Sequence, residues 1–167
     1  MVTANPAGFV TCCLLSLLLL AGCTLTEHPT AAGEPLVGCA DISPASVGSI
    51  TAERHYEYMV SCIKNQQFSQ ASSHYAIAGV QTWHDYLTSP GSVSKERHQA
   101  ELRKQLARLS DKEKRHFWDE LNIVLRDEKR LAGLCAMITL PESNKRAKML
   151  WDEAKNGYLH CENQRVF

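Results

Sequence analysis

The sequence has no surplus of charge: 18 Lys and Arg stand against 18 Asp and Glu, and the isoelectric point lies near 7. A protein that displaces counterions from a phosphate backbone needs a basic surplus, so the composition argues against nucleic-acid binding. The chain also lacks G-x-S-x-G, H-E-x-x-H and any Gly-rich phosphate loop, the short patterns that place a nucleophile, a zinc ion or a nucleotide phosphate. Its cysteines and seven histidines never fall at C-x2-C or H-x3-H spacing, so neither a metal nor another cofactor is expected. No segment alternates apolar and polar residues in the manner of a strand. What is present, 167 residues of which 44% are hydrophobic and 22% charged, is enough for one small domain with one core.

Charge is missing altogether from residues 1–22, where Phe9–Leu20 is a nearly unbroken apolar run of 12 residues. A membrane-crossing helix needs about 20 apolar residues, so this run fits the central region of a signal peptide instead. Leu20-Ala21-Gly22-Cys23 follows at once and resembles the lipobox of bacterial lipoproteins. The resemblance implies cleavage after Gly22, diacylglycerol on the Cys23 sulfur and acylation of the new amino group, an anchor of several chains where one would be marginal. The sequence departs from that family in having no Lys or Arg ahead of the apolar run. Thr24, where an Asp would favour retention at the inner membrane, implies the periplasmic face of the outer membrane. Residues 24–49 are rich in Thr, Ala, Pro and Gly and show no helical period. They read as a flexible tether. The expected organisation is a signal peptide over 1–22, a lipidated Cys and tether over 23–50, and a helical domain over 51–167.

From Thr51 onward the apolar spacing turns helical, and three antiparallel hairpins are expected. A helix over about 51–65 carries Tyr56, Met59, Val60 and Ile63 at steps of three and four. Asn65-Gln66-Gln67 turns the chain into a helix over about 68–87, which Ser89-Pro90-Gly91 stops. A third helix, about 94–109, shows Leu102, Leu106 and Leu109. Ser110-Asp111-Lys112-Glu113 has the S-x-x-E form of a capping box and starts the next helix, which the charged stretch Arg126–Arg130 should bend or interrupt. Thr139-Leu140-Pro141-Glu142 matches a capping box again, and Asn156-Gly157 marks the expected end of the last helix.

Phe68-x2-Ala71-x3-Tyr75-x2-Ala78 resembles the second helix of a tetratricopeptide repeat, and Ala147-x3-Trp151-x2-Ala154, with Gly157 nearby, is similar to a Sel1-like unit. The two copies lie 76 residues apart, two units of 38. The middle unit has Phe117, Trp118 and Leu121 without the paired alanines. The fold class is therefore all-α, either a repeat of this kind or an irregular bundle whose small and aromatic residues fill its core.

Beyond Cys23 the cysteines are Cys39, Cys62, Cys135 and Cys161, an even number suited to two disulfides in an oxidising compartment. An unbroken last helix would hold Cys161 about 24 Å from Cys135 at 1.5 Å per residue. If the chain doubles back after Asn156-Gly157, Cys39–Cys62 and Cys135–Cys161 can form; Cys39–Cys161 with Cys62–Cys135 stays open. The adjacent pair His84-Asp85 leaves a helix about 100° apart, which weakens it as a catalytic dyad. No enzyme is expected, and an envelope hydrolase using His84 or His74 is the rival reading. Lys95–Arg115 holds eight Lys/Arg and four Asp/Glu, the one local excess of charge. Arg103, Arg108 and Arg115 are the candidate dock for an acidic partner, with Trp83 and Tyr86 as the candidate aromatic contacts. The expected function is a membrane-anchored module that binds a protein of the cell envelope, accessory to an envelope or secretion assembly. An immunity protein against a periplasmic toxin is the alternative.

Overall fold

The computed structural model describes residues 38–92, 96–140 and 144–164, so the expected signal peptide, Cys23 and the tether as far as residue 37 lie outside the described residues. Those residues form seven α-helices: α1 (Pro44–Ser49), α2 (Ala52–Lys64), α3 (Phe68–Thr88), α4 (Arg97–Leu106), α5 (Asp111–Arg126), α6 (Glu128–Met137) and α7 (Lys145–Leu159). A short 3-10 turn, Cys161–Gln164, follows, and no strand occurs among the described residues.

Most helix ends follow from local chemistry. Thr51 caps α2 by accepting from the Arg54 amide, and Gln66 takes a left-handed φ of 59° in the turn that feeds α3. At α5 the Ser110 amide donates to Glu113 Oε2 at 2.7 Å while the Glu113 amide donates to Ser110 Oγ at 3.3 Å, the reciprocal box expected there. Asp127 ends α5 and caps α6, accepting from the Arg130 amide at 2.9 Å, so the charged stretch does interrupt the helix.

Four boundaries differ from expectation. Helix α4 runs from Arg97 to Leu106 rather than over about 94–109. Helix α7 is capped by Asn144, whose side chain accepts from the Ala147 amide, and Thr139 and Leu140 belong to no helix. Residues 141–143, which hold the rest of the expected box, lie outside the described residues. At its other end α7 runs straight through Asn156-Gly157 to Leu159, and the reversal falls on His160 at φ 58°. Gly157 serves packing instead of termination: a Cβ there would stand 3.1 Å from Trp83 Nε1 on α3.

Helix α3 is the hub, with α2, α4, α5 and α7 arranged around it. Its two faces supply two cores. Ala71 and Ala78 join Tyr56, Met59, Ile63 and Phe117 in one; Ala76, Ile77 and Val80 join Val47, Ile138, Trp151 and Ala154 in the other. Gly79 has no room for a side chain, because a Cβ would run into the Tyr158 ring of α7. The repeat-like residues Ala71, Ala78, Trp151 and Ala154 are all core.

The segment ahead of α2 is also part of the fold. Where a tether without helix is expected up to residue 50, residues 38–50 form a strap with α1 in it, and Val47 is fully buried. Its Ser43–Ser46 capping box holds a helix too short to show a period. Cys39 bonds Cys62 with Cα atoms 4.6 Å apart, and Cys135 bonds Cys161 with Cα atoms 5.9 Å apart, so the second pairing is excluded. The left-handed turn at His160 is what returns Cys161 to α6.

Candidate functional site

The strap does not lie flat on the helices. Between its end, α3, the start of α4 and α7 it leaves a crevice of about 370 Å³, reached by Glu53, Gln81, His84, Asp85, Arg97 and Trp151. Arg97 sits between two carboxylates: it is hydrogen-bonded to Glu53, and its Nη1 lies 3.7 Å from Asp85 Oδ2. Two anions against one cation leave the rim with a negative surplus. Burial pushes the Glu53 carboxyl up, but its main-chain hydrogen bond and Arg97 together outweigh that and hold it below the usual range.

Gln81 spends its amide on the strap. Its Nε2 donates to the carbonyls of Val47 at 2.6 Å and Ile50 at 2.8 Å, which fixes the orientation of the amide and leaves Oε1, closed off from solvent, without a partner. His84 Nε2 is in the same position. The His84 ring stands edge-on to Trp151 at 5.4 Å, and burial lowers its proton affinity against the opposing pull of Asp85. His84 also borders a second cavity of about 340 Å³ with Leu87, Ala147 and Leu150, so it is a partition between two openings.

No known protein family, no curated protein and no solved structure matches the chain. The crevice combines a cation, two carboxylates, an aromatic edge and unfilled polar atoms in its wall, a composition suited to a polar group presented by another molecule.

The residues expected to act are dispersed. Arg103 on α4 and Arg115 on α5 are exposed and take no carboxylate partner among the described residues, whereas Arg108 is half-buried and donates to Gln105 Oε1 at 2.9 Å. Trp83 and Tyr86 are half-buried on α3, Trp83 against the α7 backbone at Gly157. None of these five lines the crevice. His84 does, but His74 lies inside the core, one ring nitrogen on His55 and the other on the Ala40 carbonyl. No group of three His, Cys, Asp or Glu side chains converges as a metal site among the described residues, and no described helix is long and apolar enough to cross a membrane.

A further polar cluster crosses the interior. His98 of α4 is held between two tyrosine hydroxyls, Tyr56 of α2 on Nδ1 and Tyr158 of α7 on Nε2 at 2.8 Å. Burial lowers the His98 proton affinity to about 4 and raises both phenols above their ordinary range. Neutral imidazole has one N–H and one bare nitrogen, so one hydroxyl donates and the other accepts. The cluster ties three helices together without presenting a reactive atom.

Proposed function

We propose that the chain is an exported lipoprotein, anchored through Cys23, whose helical domain holds a protein partner at the periplasmic face of the outer membrane. The observation that supports it most is the use of cysteine. The four cysteines after the lipobox are consumed in two bonds, Cys39–Cys62 and Cys135–Cys161, and such bonds persist in oxidising compartments. In that reading Cys12 and Cys13 leave with the signal peptide, and Cys23 is the one thiol left for lipid.

Partner binding, with a role accessory to an envelope or secretion assembly, is the reading that suits a domain with an open crevice and exposed arginines that take no carboxylate among the described residues. Arg103 and Arg115 supply the long-range attraction for an acidic partner, and the crevice supplies a place for one polar side chain of it. Arg108, tied to Gln105, contributes through position more than through free charge.

Two measurements test this. Cys23→Ala should abolish metabolic labelling by palmitate and release the protein from membranes; unchanged labelling ends the lipoprotein reading. Pull-down from solubilised envelopes identifies the partner, and Arg103→Glu with Arg115→Glu should slow its association and flatten the salt dependence while helicity is kept. Wild-type kinetics at low salt in that double variant would remove the basic surface from the reading.

A further inference from the structure

His55 of α2 and His74 of α3 are sealed in the interior, 0% and 1% exposed, and meet through their Nδ1 atoms at 2.9 Å. One contact fixes where their protons are. His74 Nε2 lies 2.9 Å from the Ala40 carbonyl, and a carbonyl oxygen only accepts, so His74 carries its proton on Nε2 and its Nδ1 is bare. A bare Nδ1 on His74 requires a proton on His55 Nδ1. His55 Nε2 is then bare too, and it is buried with no hydrogen-bond partner. Two neutral rings thus form a directed relay, from His55 to His74 to Ala40.

The relay ends on the strap. Ala40 follows the cross-linked Cys39, and the next residue, Asp41, accepts from Gln70 Nε2 at 2.9 Å. Beyond it the strap is held by buried Val47 and by the Gln81 amide on Val47 and Ile50. We infer that the His55–His74 relay is an acid-sensitive latch, which holds residues 40–50 on the α2–α3 hairpin while both rings are neutral and lets them lift when the rings take up protons.

A first added proton can enter only at His55 Nε2, where it creates a buried imidazolium facing the Ser46 carbonyl, a contact that favours this proton and does not by itself free the strap. The groups that face the two rings are each other, the Tyr58 ring 5.3 Å from His74, and the main-chain carbonyls of Ala40 and Ser46; Asp41 is occupied by Gln70. No carboxylate pairs with either ring among the described residues. A second proton can go only to His74 Nδ1, which already receives the His55 N–H, so the relay must break. Burial, with the neighbouring ring as a second cause, brings His55 down to about 4, and burial lowers His74 as well, which places opening below neutral pH. Because Val47–Thr51 form one wall of the crevice, lifting the strap also dismantles it. The latch does not depend on the crevice binding a partner.

Hydrogen exchange of the full oxidised chain against pH tests the latch. The Ser46 and Ile50 amides, bonded to Ser43 and Ser46 carbonyls, should lose protection by roughly tenfold or more between pH 6.5 and 4 while amides in the middle of α3 keep theirs. His74→Gln preserves the donor to Ala40 and offers a non-titrating acceptor to His55, and it should reduce that loss by removing one of the two protons taken up while His55 still titrates. Strap protection that survives to pH 4 in the wild type, or an identical loss in His74→Gln, overturns the latch. So does acid opening confined to α4 and α7, which assigns the effect to His98. Should His74→Gln fail to fold, the ring nitrogen resonances of the wild type decide: the relay requires the Nε2–H form of His74 and the Nδ1–H form of His55 at pH 7, and the opposite tautomers refute it.

Discussion

Helices α2 and α6 are each tied by one disulfide, yet they are held in different ways. Helix α2 buries eight of its 13 residues, among them Tyr56, Met59, Val60 and Ile63; α6 buries two of ten, Leu134 and Cys135. The loops that the bonds close are nearly equal, with sequence separations of 23 and 26, so constraint of the unfolded chain stabilises the two regions alike, by about 3 kcal/mol each. What differs is the contribution of packing. The α2 side carries apolar contacts to α3 as well as buried polar groups that only suit neutral rings, and the α6 side depends on its cross-link, its packing on α5 through residues such as Leu134 and Val124, and Ile138. The first region is therefore vulnerable to protons and the second to reductant.

Acid gives the largest expected effect. His55 and His98 are each lowered from 6.5 to about 4, so the unfolded chain binds protons that the folded chain refuses. Stability should fall as pH drops below 6.5 and level off once it passes about 4. The loss is on the order of 3 kcal/mol for each ring. Chemical denaturation at pH 7.5, 5.5 and 4 measures it; a midpoint independent of pH would erase the difference between the regions. Variants at His55 and His98 taken singly divide the loss between the strap side and the tyrosine cluster.

Removing the bonds comes next. Cys135→Ala with Cys161→Ala and Cys39→Ala with Cys62→Ala should each cost about 3 kcal/mol in global stability. Local exchange should separate them: α6 amides lose protection in the first variant, whereas α2 amides keep theirs in the second. Equal loss of protection in α2 and α6 would break the comparison.

Glycine substitutions give the smallest effects and sharpen the picture of α7. Gly79→Ala forces a Cβ into the Tyr158 ring, itself held by His98, and should cost about 2 kcal/mol or more through overpacking. Gly157→Ala meets the Trp83 indole at 3.1 Å, and the helix preference of Ala offsets about 1 kcal/mol of that conflict, so its thermal midpoint should stay near the wild type.

What the sequence makes legible is local. The Ser110–Glu113 box, the stop after Thr88 and the interruption near Asp127 depend on a few adjacent residues, and the structure has them. Chain reach allows the observed disulfide pairing once the last helix can end, but it leaves the alternative open and the structure decides between them; the end itself lies at His160 rather than Asn156-Gly157. The difference has a physical source, since a glycine that lets Trp83 approach looks the same in sequence as one that stops a helix. Helix α1 escapes because six residues are too few for a period. The crevice escapes because its walls come from five separate segments. The histidine relay has a signal that was there to be read: His55, Met59 and Ile63 fall at steps of four, and His74 stands between Ala71 and Ala78 at steps of three and four, so both rings occupy core-facing positions of adjacent helices.

The bond between Cys39 and Cys62 also decides where tension goes. A pull on the chain from its N-terminal side reaches residue 39 and passes through the sulfur atoms to residue 62, near the end of α2. Residues 40–61, with the strap, α1 and most of α2, form a side branch that carries no load. Tethered by that end, the domain would bear force on a covalent strut next to its α2–α3 corner, and the strap would remain free to open or close while the strut is under strain.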